Sequence, residues 1–146
     1  MELDKDFKEF IELLNKYEVD YLIVGGYALS FHGYIRNTYD IDIWLRKSVK
    51  TGEKMLRVLE EFFGETLELT VQDFSESNDF IQLGYPPYRI DLLKEISGVS
   101  FDDCYLKKLA TQVSGIAVNY IDLESLKKNK LASGRAKDIS DIDNLK

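Results

Sequence analysis

Asp40 and Asp42 stand one residue apart in the stretch RNTYDIDIWL (36–45), alternating with Ile41 and Ile43. A strand turns residues i and i+2 to one face, so this spacing sets two carboxylates side by side. Like charges placed so destabilise a fold unless protonation or a cation relieves them. Hard divalent cations such as Mg²⁺ take oxygen ligands, commonly one or two carboxylates with waters and substrate phosphates. The alternative is a solvated edge strand whose acidic face meets only water. The apolar neighbours Ile41, Ile43, Trp44 and Leu45 favour a strand inside a sheet.

A third acid falls in a similar setting. Asp91 lies between Ile90 and Leu92 in YRIDLL (88–93), and a charge within an apolar strand needs a partner. A metal shared with Asp40 and Asp42 is one such partner, and a salt bridge to Arg89 is the other. Upstream, the apolar run DYLIV (20–24) ends in Gly25-Gly26. A glycine pair between strand and helix lets the backbone approach a ligand, and the free N–H groups there favour an anion such as phosphate. Taken alone, the pair is better explained as an ordinary tight turn.

Several elements must hold these residues in place. Phe7, Phe10, Ile11 and Leu14 recur at helical spacing and predict an amphipathic helix over 4–17. A strand over 20–24, a short helix over 27–32 and the aspartate strand over 38–45 follow. Ser48 is positioned to cap a helix reaching about Phe63, with Met55, Leu56, Leu59, Phe62 and Phe63 on its buried side. Residues 66–72 and 79–83 read as strands, and Pro86-Pro87 make a loop before the strand over 88–93. Asp102-Asp103 open a polar stretch. Runs over 105–113 and 116–121 flank Ser114-Gly115 as a hairpin would. Two helices, over 123–132 and 136–145, close the chain around a break at Ser133-Gly134. Strands and helices mix without a strict βαβ rhythm. The expected class is therefore α+β, a mixed β-sheet flanked by helices, formed by residues 1–146 as a single domain.

Composition bounds the function. The chain has 146 residues, is 45% hydrophobic and carries a net charge of −7, all within the globular range. That acidity argues against broad, nonspecific nucleic-acid binding. No apolar run approaches the roughly 20 residues of a membrane span. MELDKDFKEF reads as a charged helix, with neither a signal nor a transit peptide, and the lone Cys104 excludes an internal disulfide. A cytoplasmic protein is the expectation.

The glycine pair at a strand–helix turn, the Asp-x-Asp strand and the single later acid together resemble the nucleotidyltransferase superfamily, whose fold is that of DNA polymerase β. VGGYAL (24–29), RNTYDIDIWL (36–45), YRIDLL (88–93) and KLASGRAKDISDI (130–142) carry the resemblance in the right order. They are most similar to small bacterial members: the abortive-infection and toxin–antitoxin nucleotidyltransferases, and the lincosamide-type antibiotic nucleotidyltransferases. Many members have Gly-Ser where this chain has Gly25-Gly26, so one phosphate-binding hydroxyl is missing here.

The resemblance implies transfer of a nucleoside monophosphate from an NTP to a hydroxyl acceptor, releasing pyrophosphate. Asp40, Asp42 and Asp91 would hold Mg²⁺ or Mn²⁺, with Asp91 nearest the attacking hydroxyl or acting as its base. Arg36 and Thr38 would help at the edge of that site, or else the Thr38 hydroxyl stabilises a loop and Arg36 is a surface arginine. A site built on three acids also needs fixed cations for the triphosphate. Lys130 is the first candidate and Arg135 the second, with Asp138 orienting one of them. The acceptor is a protein, an RNA end or a small molecule. A rival reading is a non-catalytic module of the same fold that pairs with a cognate toxin or antitoxin. A glycosyltransferase using Asp-x-Asp would need a larger scaffold.

The remaining reactive residues read as structural. His32 suits a helix end better than a general base, and Cys104 has no nucleophile pattern around it. Trp44 shares the alternation of the aspartates but is better explained as core. Tyr85 and Tyr88 flank the prolines and either stack on a base or simply pack.

Overall fold

The computed structural model describes residues 3–34, 38–85, 88–135 and 140. Among the described residues the elements follow in the order α1 (Lys5–Lys16), β1 (Tyr21–Val24), α2 (Gly25–Phe31), β2 (Asp40–Leu45), α3 (Val49–Phe63), α4 (Val71–Ser75), β3 (Ile81–Tyr85), β4 (Tyr88–Leu93), α5 (Phe101–Leu106), β5 (Leu109–Val113), β6 (Ile116–Tyr120) and α6 (Leu123–Ser133). The strands form one mixed sheet in the order β3-β4-β2-β1-β6-β5. β2 runs parallel to β4 and antiparallel to β1, while β1 runs parallel to β6. The α+β class and mixed sheet expected from the sequence are what the chain adopts.

Alternation along the central strands sorts residues between two faces. Tyr88 and Ile90 point one way, and Phe7 of α1 meets Tyr88 edge to face at 6.3 Å, so α1 covers that side. Phe10 of α1 in turn packs edge to face on Phe62 of α3 at 5.3 Å. Phe7, Phe10, Ile11 and Leu14 are buried, as their helical spacing predicts. The other face carries Asp40, Asp42 and Trp44. Phe101 of α5 lies edge to face on Trp44 at 5.2 Å, which puts α5 on that side. Trp44 is fully buried, the core role expected of it.

Local chemistry sets most boundaries. Ser48 caps α3, its hydroxyl accepting from the Thr51 N–H at 3.0 Å, and Gly64 ends the helix in the left-handed conformation. Ser114-Gly115 turns the β5–β6 hairpin as expected, both residues at positive φ. α2 begins at Gly25, two residues earlier than its apolar pattern suggests, so the glycine pair forms its first turn.

Two expectations fail. Residues 66–72 do not form a strand: Leu67 and Glu68 adopt positive φ, which breaks the extended alternation of ETLELT. The Asp73 carboxylate then accepts from the Thr70 N–H at 2.8 Å and starts α4. The run expected to be extended from 105 likewise opens as α5. Ser100 caps it, with Asp102 and Asp103 favourably placed in its first turn, and β5 starts only at Leu109. The strand expected over 79–83 sits two residues later, at Ile81–Tyr85. Apart from Ser140, the helix expected over 136–145, with Asp138, lies outside the described residues, as does the Pro86-Pro87 loop.

Helices α3 and α4 meet through Gly52, where an added Cβ would stand 2.9 Å from the Val71 carbonyl oxygen. Gly52→Ala raises intrinsic helix propensity by about 1 kcal/mol. Because the obstructing atom is backbone, the net effect should nevertheless be destabilising. A urea midpoint below that of the parent chain is expected, and a higher one would show that α4 yields easily.

Candidate active site

The site is built on the pairing of β2 with β4. Their parallel register sets Asp42 opposite Asp91 and Asp40 opposite Arg89. Residues opposed in a sheet share a face, so three acids and one arginine form a quartet on the α5 side. The Arg89 guanidinium fills its centre. Nε donates to Asp91 Oδ1 at 2.9 Å, while Nη2 donates to Asp40 Oδ2 at 3.0 Å and to Asp91 Oδ2 at 3.2 Å. Asp91 therefore makes the salt bridge to Arg89, one of the two partners its sequence setting offered, while sharing a face with Asp40 and Asp42. Among the described residues, no three acid, imidazole or thiol groups stand arranged to hold an ion as they are.

Asp42 feels the crowding most. Burial first, then the neighbouring Asp91 and Asp40, push its carboxyl up to about 6, against weaker opposition from Lys130 and Arg89. The three carboxylates are hard oxygen donors, and two of them already close on a guanidinium cation. That donor set fits Mg²⁺ or Mn²⁺, and a dication beside Asp42 would relieve the strain of ionising it.

The glycine pair is required by this geometry. At Gly25, φ is +67°, and a Cβ would fall 2.1 Å from Asp42 Oδ2. A Cβ on Gly26 would come 2.9 Å from Thr38 Oγ1. The end of β1 thus lies directly against the Asp42 and Thr38 side chains, and only glycine leaves room. Thr38 in turn donates to the Asp40 carbonyl at 3.1 Å, fixing the entry to β2. Arg36 lies outside the described residues.

A cavity of about 480 Å³ opens beside Asp42, lined by Gly25, Glu95, Asn129, Lys130 and Arg135 among others. Lys130 is buried there near the end of α6, while Arg135 is exposed beyond the left-handed Gly134. Two contacts dock α6 at this height. Asn129 Nδ2 donates to the Ser97 carbonyl at 3.0 Å, and Gly98 lies so close that a Cβ would meet Ala132 Cβ at 2.4 Å. Lys128 points elsewhere, 3.9 Å from Glu124.

The whole chain, residues 1–146, matches the model of a family described as nucleotidyltransferases of unknown function, DUF6036. The chain belongs to this nucleotidyltransferase family. Solved structures agree on the fold. A protein described as a nucleotidyltransferase, TM1012 of Thermotoga maritima, superposes with a TM-score of 0.62 at 17% identity, over 94% of this chain and 88% of that one. The lincosamide antibiotic adenylyltransferase LnuA, with lincomycin bound, superposes with a TM-score of 0.55 at 16% identity, over 99% and 96%. No curated protein matches the chain in sequence. Among the described residues, no helix is long and apolar enough to cross a membrane.

Within this family member, the lesser candidates resolve simply. His32 Nε2 lies 2.8 Å from the Ile121 carbonyl oxygen and tethers the end of α2. Cys104 is buried, and burial raises its thiol pKa, so it is a core residue. Tyr88 faces away from Arg89 and Asp91, packing on Phe7 and Tyr39, and Tyr85 is almost wholly exposed. Glu95 and Asn129 went unread in the sequence because a loop and a helix, not an alternating strand, deliver them. The bridging role of Arg89 left one trace, its i−2 spacing from Asp91.

The raised Asp42 pKa gives a pH test. The folded chain binds that proton more tightly than the unfolded one, so this group favours folding most below about pH 4. The contribution is lost as pH rises through about 6, a cost of about 3 kcal/mol at neutral pH. In metal-free buffer, Asp42→Asn should raise the melting temperature by up to roughly 8 °C at pH 7.5, with little gain at pH 4. Melting curves across that range check it, and a variant less stable throughout would contradict it.

Proposed function

We propose that the chain is a metal-dependent nucleotidyltransferase that moves a nucleoside monophosphate from an NTP to a hydroxyl acceptor and releases pyrophosphate. One observation carries the reading: Asp42 and Asp91 lie in register on adjacent parallel strands with Asp40 on the same face, beside a cavity that holds Lys130. Asp40, Asp42 and Asp91 would hold Mg²⁺ or Mn²⁺. Bound there, such ions supply charge stabilisation for the attacking and leaving oxygens of an in-line displacement.

The chain's own groups do the rest. Gly25 and Gly26 keep the floor free of side chains, so phosphates can approach the backbone. Lys130, already buried and preorganised, offers a fixed positive charge to them, and Arg135 a second at the rim. Thr38 keeps the start of β2, and with it Asp40, in position. Asp91 sits where it can orient or deprotonate the acceptor hydroxyl. LnuA is an adenylyltransferase of a lincosamide antibiotic, which makes a small hydroxyl compound one acceptor class to test beside protein and RNA.

A second reading has one observation in its favour. Arg89 neutralises two of the three acids, as suits a non-catalytic module that keeps the fold and binds a cognate toxin or antitoxin. Incubating the chain with each α-labelled NTP, Mg²⁺ or Mn²⁺ and a lysate of the source cells separates the two. Label on protein, RNA or a small molecule is expected. Its absence with every nucleotide, together with recovery of a stoichiometric protein partner, would favour the module.

Two variants sharpen the assignment. Asp42→Asn should reduce transfer by at least about a thousandfold while the fold persists, and retention of most activity would remove its assigned role. Lys130→Ala should weaken NTP binding by about tenfold or more, whereas Lys127→Ala and Lys128→Ala should change it less than twofold. Equal effects at all three, measured by equilibrium binding, would replace the clamp with diffuse surface charge.

A further inference from the structure

A cation already sits among the acids, and it belongs to the chain. Arg89 donates to both oxygens of Asp91 and to Asp40, so one guanidinium holds two carboxylates on neighbouring strands. An arginine in such a place does not lose its proton at any ordinary pH. Its interactions with Asp91, Asp40 and Asp42 hold that proton tighter still. These carboxylate oxygens are the ones a divalent ion would need.

The neighbourhood also provides somewhere for the side chain to go. Arg89 is partly exposed, at 27%. Its cross-strand partner on the other side, on the edge strand β3, is Gly84. That position contributes no side chain beside Arg89, and among the described residues the edge strand leaves room there. A guanidinium released from Asp40 and Asp91 would meet no side chain of Gly84 in turning toward that edge.

We propose that Arg89 is a resident counter-ion: it stabilises the metal-free site by bridging Asp40 and Asp91, and a divalent cation loads by displacing it. The inference rests on the metal-dependent reading above. It assigns a role to a residue outside the ligand set. Arg89 makes the empty site tolerable and, by the same contacts, raises the threshold for filling it. The residue positions and competes; it does not ligate.

Metal binding without nucleotide tests this directly. Metal-free full-length chain, Arg89→Gln, Arg89→Lys and Asp42→Asn would each be titrated with Mn²⁺ and followed by electron paramagnetic resonance. Arg89→Gln removes a competing set of charge-assisted hydrogen bonds, so its Mn²⁺ Kd should fall roughly ten- to hundredfold. Its melting temperature in chelator should also drop. Arg89→Lys keeps the charge without the fork and should bind Mn²⁺ with intermediate affinity. Asp42→Asn should bind more weakly than the parent.

An unchanged or raised Kd for Arg89→Gln, with the parent still binding Mn²⁺, overturns the counter-ion alone. It would mean that Arg89 merely orients the carboxylates. If neither parent nor variant binds Mn²⁺, the metal reading fails and takes this inference with it. Should Arg89→Gln not fold, the parent chain still decides. On addition of Mg²⁺, the Arg89 Nε–H resonance should shift and exchange faster with water, and no change at saturating Mg²⁺ overturns the proposal.

Discussion

Asp42 and Asp91 are held side by side by backbone hydrogen bonding, because the parallel register of β2 and β4 leaves neither acid free to turn away. Like charges in that relation repel, and partial burial deepens the penalty. The surrounding structure answers this repulsion in several ways. Arg89 bridges two of the acids, Lys130 lends its field from α6, and Asp42 holds its own proton more tightly than a free aspartate would. Apolar neighbours keep the strands in place while this happens: Ile41, Ile43, Ile90 and Leu92 are all buried. The hydrophobic sheet supplies the force that holds the charges together.

This arrangement explains why the candidate site residues are shared among so many elements. A single strand can present two acids on one face but cannot supply the third, the cations or the space. β4 supplies Asp91, the end of β1 supplies a floor without side chains, and α6 supplies Lys130. In this chain the sheet, more than any one residue, is what lets these distant segments converge. TM1012 and LnuA share the fold at 17% and 16% identity, so the fold persists while most side chains differ.

Sequence reading succeeded where a local rule governs the outcome. Alternation exposed both aspartate strands, Ser48 announced α3, and Ser114-Gly115 announced the hairpin. It failed where a local rule was overruled by backbone geometry, as at Leu67 and Glu68, whose positive φ no alternation reveals. ETLELT has the period of a strand, yet the capping pair Thr70 and Asp73 belongs to a helix that needs only five residues. The strand order lay beyond local reading altogether, because it depends on which faces bury best together. The same is true of Asn129 and Glu95, which become neighbours of Asp42 only once α6 docks. Arg89 was legible as a possible partner of Asp91, but its reach to Asp40 follows from the register alone.

The docking of α6 rests on a loop that touches none of the acids. Gly98 lies against Ala132, and the Ser97 carbonyl receives Asn129. The wall of the cavity is therefore hung from Ser97 and Gly98, while its acidic floor is anchored in the central strands. Mutation can accumulate in these two parts independently. A lineage can lengthen or recut the segment after β4, tilt α6 and reshape what the cavity admits, with the carboxylates left untouched. The shape of the cavity and the placement of the acids are thus separable properties, one seated in a loop and a helix and the other in the sheet.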